Sequence, residues 1–246
     1  MGAFELFSCF IVGAVFGSFG NVLIARVPKG ESIVKPGSHC PVCLARIRFY
    51  HNIPILSWLF LRGRCADCGA AISIRYPMVE GVSGALFALV CLVNGVNIFA
   101  LFAALTLFLL LVLAFIDLEY KAVPDSINLP ALILALMSSP FFLQNLEHAV
   151  LLAGGMALLR FFVSWIFQKE AMGEADIIVG ATMGALLGIS GTLVALFAAS
   201  LFALPVAIYG AIKGKDPEIP FIPFLVLATV LVYFLGGYLP MTGVLG

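Results

Sequence analysis

Eight long apolar runs, near residues 4–26, 78–95, 97–116, 127–143, 148–168, 177–190, 192–212 and 220–240, bound what this chain can become. Most of them approach the ~20 residues that a helix needs to cross a bilayer. The hydrocarbon core offers no water to backbone N–H and C=O groups, so a spanning run must satisfy them within its own helix. The expected fold is therefore all-α, a polytopic membrane protein of about eight transmembrane helices. The sixth run is short, and only Asn94-Gly95-Val96-Asn97 divides the second from the third. The first run has neither a basic leader nor a small-residue cleavage site, and it reads as a retained helix.

Charge patterning adds an orientation. Only 11% of residues are charged, against about 25% in soluble domains, and 63% are hydrophobic. Thirteen basic and thirteen acidic residues cancel, which removes any general attraction to nucleic acid; membrane lipid is the expected surrounding. Arg26, Lys29, Lys35, Arg46, Arg48, Arg62, Arg64 and Arg75 lie in or beside segment 27–77. Lys121, Lys169, Lys213 and Lys215 fall in alternate later connections, while the connections near 94–97, 144–148 and 190–191 hold none. Twelve of thirteen cations thus share one side, which the positive-inside rule makes cytoplasmic, with both termini outward. The exception, Arg160, lies inside the fifth run. It either faces the bundle interior or snorkels to the cytoplasmic boundary.

Segment 27–77 carries Cys40-Pro41-Val42-Cys43 and Cys65-Ala66-Asp67-Cys68. Each C-x-x-C turn aims two thiolates at one point, and two such turns close a tetrahedral site suited to zinc. Four thiolates leave no open coordination position, so the ion is expected to be structural. Disulfides or a redox dithiol are the other readings; a cytoplasmic location disfavours the first, and a redox centre ordinarily needs one such turn. Gly69 follows the second pair, where the turn needs a residue tolerant of positive φ. His39 reads as a surface residue, and Cys9 and Cys91 as packing residues within their runs.

Three acids gather at the cytoplasmic boundary: Asp117 at the end of the third run, Asp125 before the fourth, and Asp176 at the start of the sixth. Two carboxyl groups at one depth can share a proton, one acting as base toward water while the other donates to a carbonyl. Gly173 would permit close backbone approach nearby. The plain alternative is capping, which Asp125 or Ser126 and Asp176 suit at helix N-termini. Asp117 fits that alternative poorly, because the dipole disfavours an anion at a helix C-terminus.

Taken together, these motifs resemble those of the bacterial type IV prepilin leader peptidases, intramembrane aspartic proteases of pilus and type II secretion systems. The resemblance rests on Phe16-Gly17-Ser18-Phe19-Gly20-Asn21-Val22 with Arg26 and Pro28, on His51-Asn52-Ile53-Pro54-Ile55-Leu56-Ser57-Trp58, and on Ile74-Arg75-Tyr76-Pro77-Met78-Val79-Glu80. It continues through Ile116-Asp117 with Pro124-Asp125, Met172 to Asp176, and Lys213 to Phe224 with Ile219-Pro220-Phe221. It implies an enzyme of the bacterial inner membrane, multi-pass, with its active site facing the cytoplasm. Such an enzyme cuts the basic leader from type IV prepilins or pseudopilins after a Gly. By position, Asp117 and Asp176 become the catalytic pair and Asp125 a secondary candidate. Many members also N-methylate the new amino terminus with S-adenosylmethionine, an activity assigned to the part that carries the cysteines. One departure stands out: the family's Gly-x-Gly-Asp, often with Lys two residues later, reads Gly173-Glu174-Ala175-Asp176 with Ile178 here.

The expected organisation is a first transmembrane helix (1–26), a cytoplasmic zinc-ribbon-like domain (27–77) with Cys40, Cys43, Cys65 and Cys68 as its four ligands, and a transmembrane aspartic protease domain (78–246). Rival readings are a methyltransferase that has lost proteolysis, a non-catalytic assembly protein, and an ion-coupled transporter using the intramembrane acids and Arg160.

Overall fold

The computed structural model describes residues 2–168, 173–213 and 220–236. Lys169, Met172, Lys215 and Ile219, each used in the sequence reading, lie outside the described residues. Eight α-helices occur among them: α1 (Ala3–Arg26), α2 (Leu56–Phe60), α3 (Arg75–Asn94), α4 (Ile98–Tyr120), α5 (Asp125–Leu136), α6 (Phe142–Phe167), α7 (Glu174–Ile212) and α8 (Ile222–Leu235). No strand is present among the described residues, only two isolated antiparallel bridges. The all-α polytopic expectation holds.

Each apolar run is helical over most of its described length, but helices and runs do not map one to one. Five helices, α1, α3, α4, α6 and α7, are long and apolar enough to cross a membrane, while α5 and α8 are apolar but shorter. The sixth and seventh runs share α7, whose 39 residues would reach ~58 Å at 1.5 Å per residue. That is nearly twice the ~30 Å hydrocarbon core. The helix is not one rod, however: Gly188 sits at φ 70°, ψ 178°, and breaks it. This conformation is essentially closed to residues with a Cβ, which is why the break falls at a glycine.

The chain forms two compact units, Met1–Gly95 and Val96–Gly246. In the first, α3 packs on α1, so residues 78–95 group with the N-terminal helix rather than with the later runs. The two backbones approach closely at small residues, as membrane helices do when dispersion and hydrogen bonds drive association. A Cβ on Gly13 would lie 2.5 Å from the Ser83 carbonyl oxygen and 2.7 Å from Phe87 Cβ. One turn along, a Cβ on Gly17 would lie 2.7 Å from Glu80 Cα. In the second unit, α7 packs on α5, α6 and α8, and α4 on α5 and α8. Phe108, Leu110, Leu113 and Ile116 of α4, Met183 of α7 and Leu225 of α8 are fully buried there.

Candidate functional site

The cysteine segment is built twice over. In its first half Cys40 N–H donates to Ala45 C=O (3.0 Å), Leu44 N–H to Cys40 C=O (2.9 Å), and Ile47 N–H to Ser38 C=O (2.9 Å). In its second half Cys65 N–H donates to Ala70 C=O (2.8 Å), Gly69 N–H to Cys65 C=O (2.9 Å), and Ile72 N–H to Gly63 C=O (2.7 Å). The bridges His39–Arg46 and Arg64–Ala71 keep the same offset of 25 residues. Each half is a knuckle that closes on a left-handed residue, Leu44 at φ 58° and Gly69 at φ 71°. The glycine was legible in the sequence; its counterpart Leu44, which carries a Cβ in that conformation, was not.

The two knuckles bring the sulfurs of Cys40, Cys43, Cys65 and Cys68 within 4.8 Å of one another, and the four together could hold a metal ion. Backbone N–H groups of Cys43 and then Val42 hold the Cys40 thiol down to about 6. At Cys68 the Ala70 N–H pulls the thiol the same way, but the neighbouring thiols, Cys43 foremost, outweigh it and push it up to about 12. Four thiolates cannot crowd together cheaply unless a cation neutralises them, so the donor set fits a soft divalent ion. His39 hydrogen-bonds Gly37 C=O through Nδ1 (3.0 Å) and is outside the sulfur cluster.

The same unit contains a buried acid that sequence reasoning missed. Glu80 of α3, 7% exposed, accepts the Ile55 N–H at 2.7 Å. Ile55 sits at φ 64°, ψ −51°, and Leu56 N–H donates across it to Pro54 C=O (2.6 Å), a strained γ-turn for a β-branched residue. Glu80 thereby fastens the segment before α2 to a helix. Its signal in the sequence was an acid one turn inside an apolar run.

The carboxylates belong to the second unit. Asp117 lies in the last turn of α4 and is 7% exposed. Its Oδ2 accepts the backbone N–H of Ile222, the first residue of α8, at 3.1 Å. That contact resolves the difficulty of an anion at a helix C-terminus: the free N–H groups and positive end of α8 meet it. Asp176, half-buried in the first turn of α7, accepts the Gly173 N–H through Oδ2 at 3.1 Å. This is the return bond of a capping box, so Asp176 does perform the capping role that was its plain alternative. Asp117 also lies within electrostatic reach of Asp176 and of Lys121. Asp125 opens α5, exposed and without a side-chain cap bond, and Pro124 takes the N-cap position.

Three neighbours complete the picture. Asn128 of α5, fully buried, donates Nδ2–H to the Ala175 carbonyl at 3.1 Å and ties α5 to the first turn of α7. It too was missed; a lone Asn in an apolar run was its only mark. Ala175 is helical and is not among the positive-φ residues, so its methyl group meets no backbone objection. Arg160 of α6 pairs with Glu174, Nη1 to Oε1 at 3.2 Å, which gives the exceptional cation a partner beside Asp176.

Comparison with known proteins follows the same division of the chain. Residues 11–94 match the family described as Bacterial Peptidase A24 N-terminal domain, and residues 104–208 match the Type IV leader peptidase family. A protein of Myxococcus xanthus named prepilin leader peptidase/N-methyltransferase is 42% identical over 212 residues, covering 83% of this chain and 61% of the relative. Relatives of the same name from Dichelobacter nodosus and Neisseria gonorrhoeae are each 34% identical, covering 91% of this chain and 92% and 88% of their own lengths. No solved structure gives a significant match.

Proposed function

The chain belongs to the type IV leader peptidase family, and from that premise we propose that it is an aspartic endopeptidase that removes the leader peptide of type IV prepilins or pseudopilins. Asp117 and Asp176 are its catalytic pair. The observation that carries this reading is that each acid is held through Oδ2 by a backbone N–H, with Asp176 near enough to act electrostatically on Asp117. Two such carboxyl groups share one proton. The ionised one takes a proton from water as that water attacks the scissile carbonyl, and the protonated one donates to the carbonyl oxygen. Backbone N–H donors fix both side chains before substrate arrives, so the geometry need not be assembled during the reaction. The Asp176 capping bond serves this end as much as helix stability.

The departure at Ala175 does not argue for a silenced protease, because its backbone is ordinary helix. Nor do the ion-transport and scaffold readings gain an observation of their own, since Arg160 is already paired with Glu174. We further propose that Cys40, Cys43, Cys65 and Cys68 hold a structural zinc ion, on the strength of their sulfur cluster. The relatives' shared name supports N-methylation of the newly exposed amino terminus as a second activity, with S-adenosylmethionine as the methyl-donating co-substrate. By the positive-inside pattern, the cysteine segment and the acids face the cytoplasm across a bacterial inner membrane.

Cleavage of a prepilin by the purified protein in detergent tests the reading. Wild type is expected to cut, and Asp117→Asn and Asp176→Asn are each expected not to. Cleavage that persists in either variant would remove that residue from the catalytic pair.

A further inference from the structure

Outside the cluster of four, two more cysteines meet. Cys9 of α1 and Cys91 of α3 are both free and partly exposed, and they lie near enough to interact. The packing of the two helices explains why. They run antiparallel in tight register: Gly17 faces Glu80, and Gly13 faces Gly84 and Phe87 with a Cβ-to-Cβ spacing of 2.7 Å if a Cβ is placed on the glycine. One turn beyond Gly13 on α1 is Cys9, and one turn beyond Phe87 on α3 is Cys91. Continuing the register therefore sets these side chains opposite each other across the helix pair, the arrangement a disulfide needs.

Their depth matters as much as their spacing. Cys9 lies ~25 Å along α1 from Arg26, and Cys91 ~24 Å along α3 from Arg75, at 1.5 Å per residue. Both are thus most of a ~30 Å hydrocarbon core away from the end where the four-cysteine cluster begins.

We propose that Cys9 and Cys91 form a second thiol site, which closes as a disulfide joining α1 to α3 at the end of the pair remote from the cluster. It rests on the orientation proposed above, under which that end faces the oxidising side of the membrane and the cluster faces the reducing side. The oxidant is an external disulfide. One cysteine thiolate attacks it, releasing a first thiol and leaving a mixed disulfide, and the other cysteine then displaces the second thiol. The chain loses two electrons and two protons, and one external disulfide becomes two thiols. One membrane protein would thus keep two thiol sets in opposite redox states, sorted by depth.

The test uses the full-length, zinc-loaded protein in lipid nanodiscs, treated with oxidised glutathione and mapped by peptide mass spectrometry. The expected result is a single internal link between the peptides containing Cys9 and Cys91, with the mass of two hydrogens lost. That link is absent from Cys9→Ser and from Cys91→Ser, and the melting midpoint of wild type rises by ~5 °C on oxidation. Free thiols at both positions after oxidation, or links only to the cluster cysteines, would overturn the proposal. In cells alkylated before lysis, the same link is expected; its absence there would overturn the proposal as well. Labelling of Val34→Cys by a membrane-impermeant maleimide from outside intact cells separates the causes, because it would show the orientation to be at fault rather than the helix register.

Discussion

The thiol cluster and the carboxylate site are constructed by opposite means. The three backbone hydrogen bonds that repeat between the knuckles lie within Ser38–Ile47 in the first and within Gly63–Ile72 in the second. The second is a near copy of the first at a constant offset. By contrast, Asp117 depends on a donor 105 residues away, and Ala175, next to Asp176, on one 47 residues away. A metal-type site can be assembled from short turns because the ion itself supplies the convergence. Carboxyl groups on separate helices have no such organiser. Asp117 and Asp176 take their places from the packing of α4, α5, α7 and α8.

That contrast predicts separable failures. The largest effect belongs to the acids: Asp117→Asn or Asp176→Asn should lower prepilin cleavage by at least ~10³-fold while bound metal stays at the wild-type level. A parallel loss of metal would show that the two sites are not independent. Next, Cys40→Ser or Cys65→Ser should reduce bound zinc from about one equivalent to near none, with cleavage retained. Elemental analysis beside the cleavage assay reads both at once, and abolished cleavage would break the separation. A smaller effect is expected from Asn128→Ala, which frees the first turn of α7 without touching a carboxylate. Here kcat should fall by ~10–100-fold with KM little changed; an unchanged kcat would leave Asn128 a packing residue. The smallest concerns the knuckles themselves. Leu44→Gly should stabilise the cysteine segment by ~1 kcal/mol and Gly69→Leu destabilise it by a similar amount. Opposite shifts in chemical denaturation of the zinc-loaded protein would confirm that both positions need the left-handed conformation, whereas equal shifts would deny the repeat.

Much of this was legible beforehand, and the reasons differ from one element to the next. Apolar runs announced helices because lipid permits little else. The division between the sixth and seventh runs, expected near 190–191, falls at Gly188, where two helical stretches meet at a kink; the sequence could not say whether that division would be a loop or a kink. The role of Asp117 was half visible. Its awkward place at a helix C-terminus marked it as unusual, but nothing nearby in sequence pointed to the α8 backbone as its partner. Arg160 admitted two readings until Glu174 was found against it. Cys9 and Cys91 read as packing residues within their runs, but that they face each other depends on a register that small residues elsewhere on α1 and α3 set.

Local patterns thus sufficed for the membrane helices and the four sulfur donors, because lipid and paired C-x-x-C turns each act on short stretches of chain. What only the tertiary structure decided was which distant groups share a space: the α8 N-terminus with Asp117, Asn128 with Ala175, and Glu80 with the strained Ile55 turn. Such contacts arise when helix faces interdigitate. A hydropathy pattern specifies that a face is apolar without specifying which other face will cover it.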